Sequence, residues 1–179
     1  MGHTRWLNEE EKRAWTAFTT VHALLYRRLE QRLKREFGLS GLQYEILARL
    51  SEAPDRELRM AELACALVNS KSGLTYQIGQ MEKAGLVHRR PCESDERAVF
   101  AVLTDEGMAV LTRAAPGHVD MVRDLLIDVL TPGQVRALAD GLGEASRRMA
   151  AGPAEASPPV VDGTPCSGPG PEAAADLGT

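Results

Sequence analysis

The sequence predicts a mainly α, α+β fold in which a compact lobe of short helices closed by a β-hairpin is carried between longer helices. Three observations predict it. Apolar residues recur at steps of three and four through residues 9–36 and again after residue 131, two short helical stretches stand back to back between residues 61 and 84, and two extended runs follow them directly.

Trp15, Phe18, His22, Leu25, Leu29 and Leu33 mark one face of a first long helix, which Gly38 stops. Ser40 caps a second helix whose apolar stripe is Leu42, Ile46, Leu47 and Leu50, and the pair Ala53-Pro54 ends it. Leu58–Met60 reads as a brief extended piece and Ala61–Leu67 as a third helix with Leu63, Ala64 and Leu67 inward. Ser70 caps a fourth helix over Lys71–Ala84, where Leu74, Ile78 and Met81 repeat at one-face spacing and Gly85 ends the run.

Leu86–Arg90 and Ala98–Leu103 are the two strands of a hairpin, with the charged PCESDER segment as a long tip. Thr104 caps a fifth helix containing Met108, Leu111 and Ala115, which Pro116-Gly117 is expected to kink or interrupt before Val122, Leu125, Leu126 and Val129. Thr131-Pro132-Gly133-Gln134 starts the last helix with a capping-box pattern and a proline at its first position. Val135, Leu138, Leu142 and Met149 supply its stripe.

A chain of 179 residues suits one domain with appendages, here residues 1–149 followed by a tail over 150–179. That tail holds six of the ten prolines and no aromatic residue, so it is expected to be disordered. It also explains the net charge of −4. Four of the 25 acidic residues and none of the 21 basic ones lie from Ala150 onward, which leaves the folded part formally neutral. No apolar run approaches the roughly 20 residues of a membrane span, and the polar start lacks a signal-peptide core, so a soluble cytoplasmic protein with no membrane partner is expected. Cys65, Cys92 and Cys166 have neither paired spacing nor neighbouring histidine pairs, so neither a disulfide framework nor a zinc site is suggested and reduced thiols are expected. Phosphate loops, GxSxG and HExxH are absent, and His3, His22, His88 and His118 lie on separate elements, so neither catalytic residues nor a cofactor is expected.

Two short helices with a hairpin directly after the second form the winged variant of the helix-turn-helix plan, whose second helix fits the major groove while the hairpin reaches the backbone or minor groove. Ser70, Lys71, Ser72, Thr75, Tyr76 and Gln80 occupy the free face of that helix and are small, hydrogen-bonding or cationic. The hairpin contributes Arg89, Arg90 and Arg97, and Asp95, two residues before Arg97, can orient its guanidinium as a minor-groove probe. A winged-helix module serving only protein assembly would carry the same helices, with the basic groups incidental.

The segment ELACAL, followed by MEKAGLVHRRPCESDERAVFAVLTDEG, resembles the helix-turn-helix and wing of MarR-type regulators. The shared points are Leu63-Ala64, Gly85-Leu86-Val87, the D-x-R of Asp95 to Arg97, and the L-T-x-x-G of Leu103 to Gly107. The resemblance implies a winged lobe over 41–115 and a homodimer built from 6–38 and 116–149, acting on a pseudo-palindromic double-stranded DNA operator. It implies that Arg97 enters the minor groove supported by Asp95. It further implies a repressor released by a small aromatic or amphipathic effector, an activator being the alternative. Trp15, His22, Tyr26 and Tyr44 are the candidate lining of the effector pocket. The branch of that family that senses oxidants uses a cysteine in the N-terminal helical region, and this chain has none before Cys65. Cys92, beside Arg89 and Arg90, is the one thiol in a basic setting.

Overall fold

The computed structural model describes residues 4–67, 70–92 and 95–150, without the side chains of Lys71 and of Asp95, Glu96 and Arg97. The segment from Ala151 onward, which holds nearly all of the tail expected to be disordered, lies outside the described residues. The element order is α1 (Glu9–Phe37), α2 (Gly41–Glu52), a tight turn at Pro54–Arg56, β1 (Glu57–Arg59), α3 (Met60–Ala66), α4 (Lys71–Lys83), β2 (Val87–Cys92), β3 (Asp95–Leu103), α5 (Asp105–Val122), a π-helical turn at Arg123–Ile127, and α6 (Pro132–Ala150). Among the described residues no helix is long and apolar enough to cross a membrane.

Local chemistry sets most helix starts. The Ser40 hydroxyl accepts from the Gln43 N–H at 3.2 Å while the Gln43 side chain accepts from the Ser40 N–H at 3.0 Å, and Thr131 with Gln134 repeats this reciprocal pattern at α6. Asn8 does the same for α1 with Glu11, a cap written in the sequence as Asn-Glu-Glu-Glu that the apolar stripe alone did not reveal. Gly38, in the left-handed region at φ 70°, closes α1.

The core is the winged lobe. Ile46, Leu47 and Leu50 of α2, Leu63 of α3, Leu74, Ile78 and Met81 of α4, and Val87 of β2 are sealed from solvent, with Ala101 and Leu103 of β3 beneath them. The expected one-face spacing of α4 is therefore what anchors it. In contrast, α1 buries only Leu33, near its C-terminal end, and α6 buries nothing within the single chain.

The sheet runs β1-β3-β2, all antiparallel, with Arg59 opposite Phe100 and Arg90 opposite the same Phe100. Both hairpin strands extend further than the alternation of apolar residues suggested. β2 continues through Pro91 to Cys92 and β3 begins at Asp95, so most of PCESDER is strand and the long tip is not formed. β2 lies at the sheet edge, where the missing N–H of Pro91 need cost no ladder bond, and a register shift between Pro91 and Cys92 absorbs the irregularity.

Pro116 does not interrupt α5, which is continuous from Asp105 to Val122. Contacts on both sides of the proline hold the helix: Val110, Leu111 and Ala114 are buried before it, and after it the Arg32 guanidinium of α1 donates to the Gly117 carbonyl while His118 stacks on Tyr44 at 4.3 Å. These anchors offset the roughly 3 kcal/mol that an interior proline costs. The departure from α geometry comes later, as the π-helical turn at Arg123–Ile127. On α5, Val110, Leu111 and Ala114 are buried while Met108 packs partly against the core.

Candidate nucleic-acid interface

α3 and α4 present the helix pair. The Ser70 hydroxyl accepts from the Gly73 N–H at 3.1 Å and lies 3.4 Å from the Ser72 hydroxyl, so two hydroxyls stand at the start of α4. With Leu74, Ile78 and Met81 fully inward, Ser72, Thr75 and Tyr76 are exposed and Gln80 is partly so. Tyr76 is 64% exposed, a large aromatic side chain held mostly out from the lobe. Five of the six sequence-predicted helix residues thus share one accessible side of α4, and the side chain of the sixth, Lys71, lies outside the described residues.

The backbone of Asp95 and Arg97 is in β3, opposite the end of β2. The proposed support of the Arg97 guanidinium by Asp95 falls on side chains outside the described residues. The other two wing arginines are engaged within the lobe. Arg89 meets Glu82 of α4, its Nε and Nη2 donating to Oε2 at 3.0 and 2.6 Å. Arg90 meets Glu57 of β1 through Nε at 3.2 Å and Nη2 at 2.5 Å, and its guanidinium lies 4.8 Å from the centre of the Phe100 ring. Arg59 approaches that ring at 5.7 Å, so the row Arg59, Phe100, Arg90 crosses all three strands. Glu57 and Glu82 are the partners the sequence reading missed. Glu57 stands 33 residues from its arginine, and no local pattern announces such a pair.

A further joint was half visible in the L-T-x-x-G pattern. Thr104 caps α5 by accepting from the Gly107 N–H at 2.9 Å, donates its hydroxyl proton to the Gly85 carbonyl at 2.7 Å, and donates its backbone N–H to the Leu86 carbonyl at 3.2 Å. Gly85, at φ 73°, turns α4 into β2 in a conformation that a side chain resists. The exit of the helix, the end of the wing and the start of α5 therefore meet at one point.

The candidate effector residues are not gathered in one cavity of the chain. Trp15, His22 and Tyr26 form an exposed ladder with Phe18 along α1, successive ring centres 6.1 to 6.2 Å apart. Tyr44 is instead buried in α2 against His118. Burial holds the Tyr44 hydroxyl above its ordinary pKa, with Glu52 adding to the effect, and burial holds the His118 imidazole below its own, with Arg32 adding. The cleft between α1 and α5 is lined by other residues, among them Arg28, Arg32, Asp120 and Met121.

Residues 39–99 match the model of the MarR family. The fold superposes on the crystal structure of AbsC, a MarR family transcriptional regulator from Streptomyces coelicolor, with a TM-score of 0.78 and 43% identity, covering 82% of this chain and 98% of that one. It superposes equally well on Sco3205, a MarR family transcriptional regulator of the same organism solved in complex with DNA, with a TM-score of 0.77 and 43% identity over 87% of this chain and 96% of that one. The regulator PecS of Dickeya dadantii is 35% identical over 106 residues, which span 58% of this chain and 63% of PecS. With the winged lobe assembled as described and near-complete coverage of AbsC at that identity, the chain belongs to the MarR family of transcriptional regulators.

Proposed function

We propose that the chain is a homodimeric repressor that occupies a pseudo-palindromic operator and is released by a small aromatic or amphipathic effector. One observation carries the DNA reading: α4 buries its apolar face completely and leaves Ser70, Ser72, Thr75, Tyr76 and, in part, Gln80 accessible. A helix so presented can place hydroxyl, phenol and amide groups against base edges and phosphates. Lys71 adds a cation at its start, and Arg97, supported by Asp95, is assigned to the minor groove. The likeness to Sco3205, which was solved with DNA, supports the same reading.

The dimer is supported by what the single chain leaves uncovered. Trp15, Phe18, Val21 and Leu24 of α1 are exposed, Trp15 by 60%, as are Val129 and Met149 near and in α6. Apolar surface of this extent on terminal helices calls for a partner, and a second copy satisfies it with two-fold symmetry. Two lobes held that way suit two half-sites. For the effector, the aromatic ladder of Trp15, Phe18, His22 and Tyr26 left exposed on α1 offers apolar ring surface that a small aromatic ligand could meet.

Arg97→Ala tests the DNA reading. Affinity for a duplex selected from a random pool is expected to fall by about tenfold to a hundredfold with the thermal melt unchanged. Unaltered affinity across a salt titration would overturn the assignment of Arg97 and favour a module that binds protein.

A further inference from the structure

The carboxylate of Glu82 accepts three hydrogen bonds from one residue. Arg89 gives its backbone N–H to Oε1 at 3.0 Å, and its Nε and Nη2 to Oε2 at 3.0 and 2.6 Å. Glu82 belongs to the last turn of α4, and Arg89 is the third residue of β2, so the contact spans the turn that separates recognition helix from wing. β2 is an edge strand, and such strands leave alternate N–H groups without a ladder partner. Glu82 fills one of those vacancies and grips the side chain of the same residue, which a pair of surface charges meeting by chance would not do.

The neighbouring Arg90 is bound in a parallel way, to Glu57 of β1 and over Phe100. Adjacent residues of one strand thus hold different elements of the lobe, α4 on one side and β1 on the other. A guanidinium committed through two of its nitrogens to a carboxylate would have to release it, or share it, to meet a phosphate. The Glu82 carboxyl is held below the ordinary range, first by the guanidinium of Arg89 and then by its backbone N–H, so the pair stays ionised near neutral pH.

We propose that Arg89 is a positioning residue and not a DNA contact: braced by Glu82, it locks β2 to the end of α4 so that recognition helix and wing meet the duplex as one rigid unit. This rests on the DNA-binding reading given above. The two roles predict opposite signs for one substitution. If Arg89 contacts phosphate, Glu82→Ala frees a cation, removes a negative charge near the DNA and tightens binding. If Arg89 is a brace, the same change loosens the wing and weakens it.

The test uses the full chain as wild type, Glu82→Ala, Arg89→Gln and the double variant. Affinity for a duplex recovered from a random pool is measured by fluorescence anisotropy over a series of salt concentrations, and amide exchange along β2 is followed without DNA. Each single change is expected to weaken binding about fivefold, the double change no further, because one interaction is lost in all three. The slope of log affinity against log salt is expected to stay at the wild-type value, and exchange at the Arg89 amide to quicken in Glu82→Ala. Equal or tighter binding by Glu82→Ala overturns the proposal, as does a salt slope reduced by about one in Arg89→Gln. Should the wild type retain no duplex at all, the DNA reading fails, and the brace is decided by exchange: unchanged protection in Glu82→Ala overturns it, and quickened exchange supports it.

Discussion

Gly107→Ala addresses the joint where α4, the wing and α5 meet. A Cβ at Gly107 would lie inside the contact radius of the Leu86 carbonyl oxygen, 3.1 Å from the Leu86 carbonyl carbon and 2.7 Å from Leu103 Cδ1. The Leu103 methyl can rotate, but the Leu86 carbonyl is backbone, and it already accepts from the Thr104 N–H at 3.2 Å. Making room separates α5 from the exit of α4. Overpacking of this kind costs about 1 to 3 kcal/mol. Weakening the Thr104 bonds to Leu86 and Gly85 adds about 1 kcal/mol each, against which alanine returns less than about 1 kcal/mol of helix propensity. A net loss of roughly 2 to 4 kcal/mol follows, a factor of about 30 to 1,000 in the folded-to-unfolded ratio. Urea unfolding followed by circular dichroism, at one fixed chain concentration because association would shift the midpoint, measures it. Gly79→Ala in α4 is the control, since its Cβ would meet nothing within 4 Å and the change should stabilise by about 0.5 to 1 kcal/mol. A Gly107→Ala chain within about 0.5 kcal/mol of wild type would refute the argument that the Leu86 carbonyl cannot yield.

Two further outcomes are expected. Burial holds the His118 imidazole below its ordinary value of 6.5, so the folded chain binds fewer protons than the unfolded one as the pH drops through that value. Stability should be full above 6.5 and fall below it, and His118→Phe, which keeps a ring against Tyr44, should show a smaller loss between about pH 7.5 and 5.5 in thermal melts. An identical pH dependence in the two chains would remove His118 from the account. If the proposed homodimer forms through α1, Phe18→Glu on its exposed face should shift the sedimenting species from dimer to monomer, because a carboxylate would replace apolar surface worth about 2 kcal/mol in each copy. A variant that sediments like wild type would place the dimer contact elsewhere.

Much of the architecture is local enough to be written in short stretches of chain. The caps at Ser40, Ser70, Thr104 and Thr131 need only a hydroxyl and an N–H three residues on, and the inward face of α4 needs only its own spacing. Pro116 shows the limit of that logic, because its local preference is outweighed by Arg32 and Tyr44, which lie on other helices. The wing shows it again, since charged residues read as a loop were drawn into β2 and β3 by pairing across the hairpin. In the candidate site, the face of α4 was legible for the same local reason. The commitments of Arg89 to Glu82 and of Arg90 to Glu57 were not, and the effector candidates on α1 were grouped by type with Tyr44, which packs elsewhere.

The order of the elements, most of the caps that start them and the polar face of α4 can be read from short stretches of chain, because each depends on residues within a turn or two of one another. It took the assembled fold to show that Arg89 and Arg90 are bound within the lobe, that α5 runs through its proline, and that α1 and α6 leave apolar surface open. Those outcomes depend on distances between segments far apart in the chain, where a carboxylate, a guanidinium or a ring is brought to contact by the folding of the lobe as a whole.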